Sequence, residues 1–435
     1  MARVVTKDSI FGEGDSYSFR IAIRLGQIER VSKFIEERYS TVNLGGLLHY
    51  ALSYDQIEIV RLLITKFECS VDCRNEANET PLHLACRTGD RDVVRMFVSE
   101  YKADLLARDN DNNTPLSTAV TSGHDSVVSC LIDEFTCSPN VKGFKGQSLL
   151  HQACDSRNEE LAKGLLLDYH LDPLAVDDNG DTVLHTVASN GSEEMLNLLI
   201  TKYKCPVDSK NSDFETPLHY ACKEGNVAAV RVLISQHKAD MNALDSQNFT
   251  PLDSAARSGQ TDVVKCFIDK FNYSLIGSQG IAILQIACFA GHVDLAETLI
   301  AHYNLDPKSV DDNGNSPLHF AATICDQEML SLLITKYECP VDCRNCTNET
   351  PLHWACQKGN TGAVRILVSK YNADLTAHCM GNSTPLNEAA LNGHTDVVKC
   401  LIDEFGCSIA VKGMMVEPSC TKLAFLEILI KLKYS

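Results

Sequence analysis

Nineteen cysteines and fourteen histidines in 435 residues are enough to build metal centres or nucleophilic sites. The sharpest cluster is Cys343-Arg-Asn-Cys346, a C-x-x-C beside Cys339. A structural zinc site needs four ligands at tetrahedral spacing. Only Cys343 has a counterpart, Cys73, in a sister stretch, and no second C-x-x-C or His pair follows. We therefore expect no metal and no cofactor. Asp109-Asn-Asp111-Asn-Asn113 begins like a calcium-binding loop. Thr114 stands where that loop requires Gly, and Val120 where it requires a bidentate Glu, so a hairpin turn is the better reading. Phosphate loops, HExxH, GxSxG and kinase signatures are missing from the sequence. Catalytic residues are expected to be none, and an enzyme would need a site assembled across distant segments.

The chemistry-bearing residues recur at fixed places. The block TPLHLAC begins at Thr80. Relatives of it begin at Gly46, Thr114, Ser148, Thr182, Thr216, Thr250, Ala282, Ser316, Thr350 and Thr384, spaced by 34 residues except for 32 between Thr250 and Ala282. His49, His83, His151, His185, His219, His319 and His353 all fill its fourth place, where a structural hydrogen bond between neighbouring units is expected. Cys86, Cys154, Cys222, Cys288 and Cys356 share one helix position, and Cys69, Cys137, Cys205, Cys339 and Cys407 another. Buried Cys at such sites behaves as a small apolar residue.

Each unit explains itself locally. Thr80 is a helix cap and Pro81 suits the first turn, where its missing N–H costs nothing. Leu82, Ala85 and Cys86 make an apolar face, and Gly89 ends the helix. A second helix carries Val93, Val94, Phe97 and Val98 inward. An Asp/Asn-rich connection then leads to the next Thr, with Asn78, Asn112, Asn248, Asn348 and Asn382 at its left-handed place. Two such short helices cannot bury their apolar faces alone, whereas stacked copies can. A larger period spans four units: ITKFECSVDCRN from Ile64 returns from Ile200 and Ile334.

The T-P-L-H-x-A signature at this spacing closely resembles the ankyrin repeat, over roughly residues 18–411. The resemblance implies an all-α helical solenoid with short β-hairpin fingers. We expect an N-terminal segment with a degenerate capping repeat at 1–44, eleven repeats at 45–411 and a C-terminal capping helix at 412–435. Irregularity is expected at 271–283, as a shortened or distorted finger. Two residues are missing there, and Ala282 and Ile283 replace the capping Thr and helix-starting Pro. Where ankyrin repeats usually have Gly after the second helix, this chain has Lys102, Lys204, Asn304, Glu338 or Asn372, with an extra residue per unit. That predicts slightly longer, regular second helices. An aromatic just before that place, from Phe67 and Tyr101 to Phe405, reads as a packing ladder.

The formal net charge of −18, without a Lys/Arg run, excludes the basic stripe of a nucleic-acid binder. No secretory signal is expected in the first thirty residues, and Leu423–Leu432 is too short to span a bilayer. Reduced thiols then predict a cytoplasmic or nuclear protein, read as a monomer. The resemblance implies a scaffold or adaptor that binds a protein partner along the concave groove. A passive spacer array is the alternative. Candidate partner-binding residues sit just before the Thr and seven or eight places after it. In the amino-terminal half they are mainly polar: Glu76, Arg87, Asp111 and Asp178. Farther on they are apolar, with Phe249, Phe289, Ile324 and Leu391, and Arg257 among them. Stacked helices lie about 10 Å apart, so Phe249, Phe289 and Ile324 are expected to form one patch. Ala239-Asp240-Met241-Asn242 resembles the segment that asparaginyl hydroxylases favour in ankyrin repeats, which makes Asn242 a candidate for hydroxylation and otherwise a turn residue.

Overall fold

The computed structural model describes residues 16–38 and 42–407. They form paired helices, and the chain divides into two compact units, residues 1–217 and 218–435. The expected segment 412–435 lies outside the described residues.

In the first unit the pairs begin with Ser16–Arg24 and Ile28–Arg38, then Leu44–Ser53 and Ile57–Thr65. The pair Pro81–Thr88 and Arg91–Arg95 sets the pattern for the rest. In the second unit the first helices include Pro251–Arg257, Ser278–Ala290, Pro317–Ala321, Pro351–Gln357 and Pro385–Leu391. Leu82, Ala85, Cys86, Val94 and Phe97 are fully buried between neighbouring pairs. A fully buried Leu or Phe contributes about 2 kcal/mol. That gain holds one repeat to the next, because the helices themselves are too short to persist alone.

The signature His closes its own cap and the next repeat together. Thr80 caps its helix, and the Nδ1 of His83 accepts from the Thr80 backbone N–H at 3.2 Å. A backbone nitrogen can only donate, so Nε2 carries the ring proton. It donates to the carbonyl of Asn113, thirty residues on, at 3.1 Å. The same arrangement recurs from His185 to Glu215, His319 to Glu349 and His353 to Ser383. Gln285 makes the equivalent bond to Asn315 at 2.7 Å. A second ladder runs on the loop side. His124, Gln260, His292 and His394 reach back to the carbonyls of Arg87, Lys223, Arg257 and Gln357.

The fingers are tight turns rather than long ribbons, and the described residues hold two isolated antiparallel bridges, Lys142 with Ser148 and Val176 with Thr182. Asn78, Asn112, Asn248, Asn348 and Asn382 take φ between 61° and 64°, the left-handed place expected of them. Neighbouring fingers are tied by backbone bonds such as Asn110 N–H to Ala77 O and Met380 N–H to Thr347 O.

The extra residue per repeat does not lengthen a regular helix. It widens the last turn of the second helix into a π turn, as at Met96–Glu100, Cys130–Glu134 and Leu332–Lys336. There Tyr101 N–H bonds Met96 O and Ala103 N–H bonds Phe97 O, a closure one residue wider than the usual helix end. Lys102, Lys204, Asn304, Glu338 and Asn372 then adopt left-handed φ of 53–58°, the place Gly406 takes at 68°. The aromatic before that place links repeats: Tyr169 Oη donates to Asp133 and Tyr303 Oη to Asp269.

Between Phe271 and Ile283 no finger forms. The second helix Thr261–Phe271 is α-helical throughout, and the next helix starts early, at Ser278. With Ala282 in place of the capping Thr, nothing stops the helix at Ile283. It continues back to Gly277, whose φ of 74° ends it.

Candidate partner-binding surface

In the second unit, Thr250 and Asp253 cap the helix that carries Arg257 to the surface. Arg257 is exposed, and its guanidinium lies 5.5 Å from the centroid of the half-buried Phe249 ring. It also donates to Gln247 Oε1 at 3.1 Å. The Arg257 carbonyl accepts from His292 Nε2 at 2.9 Å, which fixes the next helix, Ser278–Ala290, beside it. That helix presents Phe289, 49 % exposed. Two residues on, Gly291 lies against Ile324 of the following repeat: a Cβ on Gly291 would stand 3.1 Å from Ile324 Cδ1. The structure thus joins Phe249, Arg257, Gly291 and Ile324 by contacts through consecutive repeats, with Phe289 rising from the middle one. Leu391, 40 % exposed, lies farther along, beyond the repeat of Pro351–Gln357.

Two half-buried aromatics widen this surface. Phe320 and Trp354 meet edge to face, centroids 5.2 Å apart, and Trp354 Nε1 donates to Glu349 Oε2 at 3.1 Å. Burial pushes the Glu349 carboxyl up. The bonds from Asn345, Trp354 and Thr347 outweigh that and hold it below its usual value. The sequence carries a signal for both: each is the residue after a signature His, and Trp354 is the only Trp of the chain. Met380, 70 % exposed on a finger, had no such signal.

In the first unit, Glu76, Asp111 and Asp178 are exposed on three different fingers. Arg87 is exposed but committed: it pairs with Glu79, a carboxylate that is itself buried. The unit is not uniformly polar, because Phe144 and Phe214 are also exposed on fingers. Phe214 holds the left-handed finger place, φ 60°, that Asn fills elsewhere. Asn242 is exposed in the turn after a second helix, its N–H bonded to Asp240 Oδ1 at 2.9 Å.

Among the described residues no group of three or more His, Cys, Asp or Glu is placed to hold a metal ion. No helix among them is long and apolar enough to cross a membrane.

Family models for ankyrin repeats match this architecture. A segment of the chain is 40 % identical over 72 residues to human protein phosphatase 1 regulatory subunit 27, covering 15 % of this chain and 46 % of that protein. The mouse protein of the same name is 39 % identical over the same length. The chain spans under half the length of these curated relatives. Among solved structures, the ankyrin repeat domain of Bcl-3 is 29 % identical with a TM-score of 0.39, covering 47 % of this chain and 91 % of that one. The complex of the Bdellovibrio bacteriovorus endopeptidase Bd0816 with immunity protein Bd3460 gives 25 % identity and a TM-score of 0.39, covering 45 % of this chain and 98 % of the matched one. A family model described as ankyrin repeats (3 copies) matches overlapping stretches from 19 to 276 and again 325–413, and a second ankyrin-repeat model matches 284–334. With its caps, fingers and inter-repeat histidine bonds laid out in that pattern, this chain belongs to the ankyrin-repeat family.

Proposed function

We propose that this chain is a non-catalytic scaffold or adaptor that binds a protein partner along the groove between its fingers and first helices. The anchor is the patch of Phe249, Arg257, Phe289 and Ile324, extended by Trp354 and Leu391. One observation carries the reading: Phe289 is about half exposed on the helix packed next to the one whose Arg257 lies over the Phe249 ring. A stable fold has no need to leave a Phe in water, whereas aromatic and Arg anchors dominate binding energy at interfaces. A passive spacer would need only a polar groove. The regulatory-subunit name of the human relative supports a binding role in general, and the phosphatase is not carried over. In this reading the chain acts as a monomer in the cytoplasm or nucleus, its described cysteines free.

The test is the triple substitution Phe249→Ala, Arg257→Ala and Phe289→Ala in the full chain. Circular dichroism should be unchanged, and partners captured by the wild-type protein should lose at least about tenfold in affinity, since anchor truncations cost about 2 kcal/mol or more. Retention of every partner at wild-type affinity by a folded triple variant would rule out this patch.

A further inference from the structure

Three copies of one stretch, four repeats apart, treat a cation differently. Each has a Glu just before the capping Thr: Glu79, Glu215 and Glu349. The fifth place of the signature holds Leu84, Tyr220 and Trp354, and the place three residues on holds Arg87, Lys223 and Gln357. In the first copy the Arg87 guanidinium grips Glu79: Nη1 donates to Oε2 at 3.2 Å and Nη2 pairs with Oε1. In the second, Lys223 Nζ stands 5.8 Å from the centroid of the Tyr220 ring. The third copy joins a carboxylate to an aromatic ring, Glu349 to Trp354, and Gln357 brings no charge to them.

All three side-chain donors to Glu349 fall on Oε2: Asn345 Nδ2 at 2.9 Å, Thr347 Oγ1 at 3.0 Å and Trp354 Nε1 at 3.1 Å. Oε1, the oxygen that pairs with Arg87 Nη2 in the first copy, receives none of them. The neighbouring finger does not fill it either. At Asp181 and Asn315, which hold the same finger place, an Asn of the next finger donates across: Asn211 at 2.8 Å and Asn345 at 2.9 Å. The corresponding residue after Glu349 is Cys379, and its thiol turns to the Met380 carbonyl at 3.4 Å. Burial works against the Glu349 charge, and the three bonds overcome it, so the carboxylate is ionised at neutral pH. Beside it the half-buried indole of Trp354 is fixed by its bond to Oε2 and by its edge-to-face contact with Phe320.

We propose that the corner of Glu349 and Trp354 receives an arginine side chain of the protein partner, in the place that Arg87 fills from within the chain in the first copy. The inference rests on the groove-binding function proposed above and adds what the partner must present. The guanidinium donates to Glu349 Oε1, and its flat face lies against the Trp354 ring, as Lys223 lies over Tyr220. Arginine suits the corner better than lysine. Its planar fork of donors matches a carboxylate, it stacks on aromatic faces, and it is more weakly hydrated than an ammonium. The formal net charge of −18 favours the approach of a basic partner segment.

Trp354 is the only Trp of the chain, so its fluorescence in the full chain reads this corner directly. The probes are Nα-acetyl-arginine amide and its neutral isostere, Nα-acetyl-citrulline amide. The arginine probe should give a saturable change with a midpoint about tenfold lower than citrulline, the factor that a hydrogen bond between charged groups supplies. Glu349→Gln keeps an acceptor for Asn345, Thr347 and Trp354 and should erase the difference. Gln357→Arg takes the residue of the first copy, so the fold accommodates it, and it should weaken the arginine probe about tenfold by filling the corner from within. Equal midpoints for the two probes, a difference that survives Glu349→Gln, or a Gln357→Arg chain that binds arginine like the wild type would overturn the proposal. The probes are single residues and need no partner. Loss of partners by the triple variant alongside equal probe midpoints would therefore remove the arginine and leave the groove-binding reading standing.

Discussion

A histidine that accepts a cap N–H on one nitrogen and donates across to the next repeat on the other is neutral by construction. Burial pushes His83, His151, His185, His319 and His353 below their usual value, and the backbone bond on Nε2 opposes it only in part. The unfolded chain takes up these protons as pH falls through about 6.5. The folded chain resists until lower pH, so the unfolded state binds more protons in between. The contribution is full above the unfolded value and is lost as pH falls toward the folded one. Urea midpoints should therefore be level from about pH 8 to 7 and drop steadily below about 6.5. Gln285 makes the same inter-repeat bond without titrating. His151→Gln should accordingly flatten part of that acid slope. A midpoint unchanged down to about pH 5 would contradict the neutral assignment. The histidines' place was legible in the sequence, because all seven share one position. Their tautomer was not, since it depends on a carbonyl thirty residues away.

At the scale of the element, the informative feature is the end of the second helix. A residue count shows one extra place per repeat but not where it goes. Continuing as α-helix would rotate each following side chain by a full residue step, about 100°, and mismatch the next repeat. The π turn absorbs the residue locally and leaves the next place left-handed. Thr136 takes that place at φ 56°, is exposed, and is β-branched, which makes it the least suited of these residues. Left-handed backbone costs an L-residue about 1–2 kcal/mol, and Gly returns part of that gain through its freer unfolded chain. Thr136→Gly should therefore stabilise the protein by about 0.5–1 kcal/mol in urea unfolding, as Gly406 already does natively. A lower midpoint would mean that Thr136 has a compensating contact. The finger that should have filled 271–283 shows the converse. Its missing cap was visible in the sequence, yet the outcome, a helix begun at Ser278, depended on Gly280 fitting against the Leu275 carbonyl, where a Cβ would come within 2.1 Å.

At the scale of the molecule, a stack of repeats is stabilised by each repeat and by its contact with the next. Long arrays of this kind lose strict two-state behaviour where one junction is weaker. The segment 271–283 lacks a finger and its backbone ties, so cooperativity should fail there first. Trp354, the only Trp, sits after it and is packed on Phe320. Its fluorescence reports the later repeats, whereas circular dichroism averages all helices. The two urea transitions should have different midpoints, and coincident curves would mean that the whole chain unfolds as one.

The sequence by itself determined the period, the helix pairs and the caps. Those are solved within a few residues: Thr80 and Pro81 start a helix and Gly89 ends it whatever lies beyond. It also marked Phe249, Arg257 and Phe289 as candidate partner-binding positions. Only the tertiary structure decided which side chains are exposed and which are already paired. Arg87 is exposed and paired with buried Glu79, while Trp354 and Phe320 are half-buried and in contact at a position that the pattern treats as filler. Arg87 reaches back eight residues across the junction of finger and helix, and Trp354 packs on Phe320 of the preceding repeat, contacts that no helix or turn rule fixes.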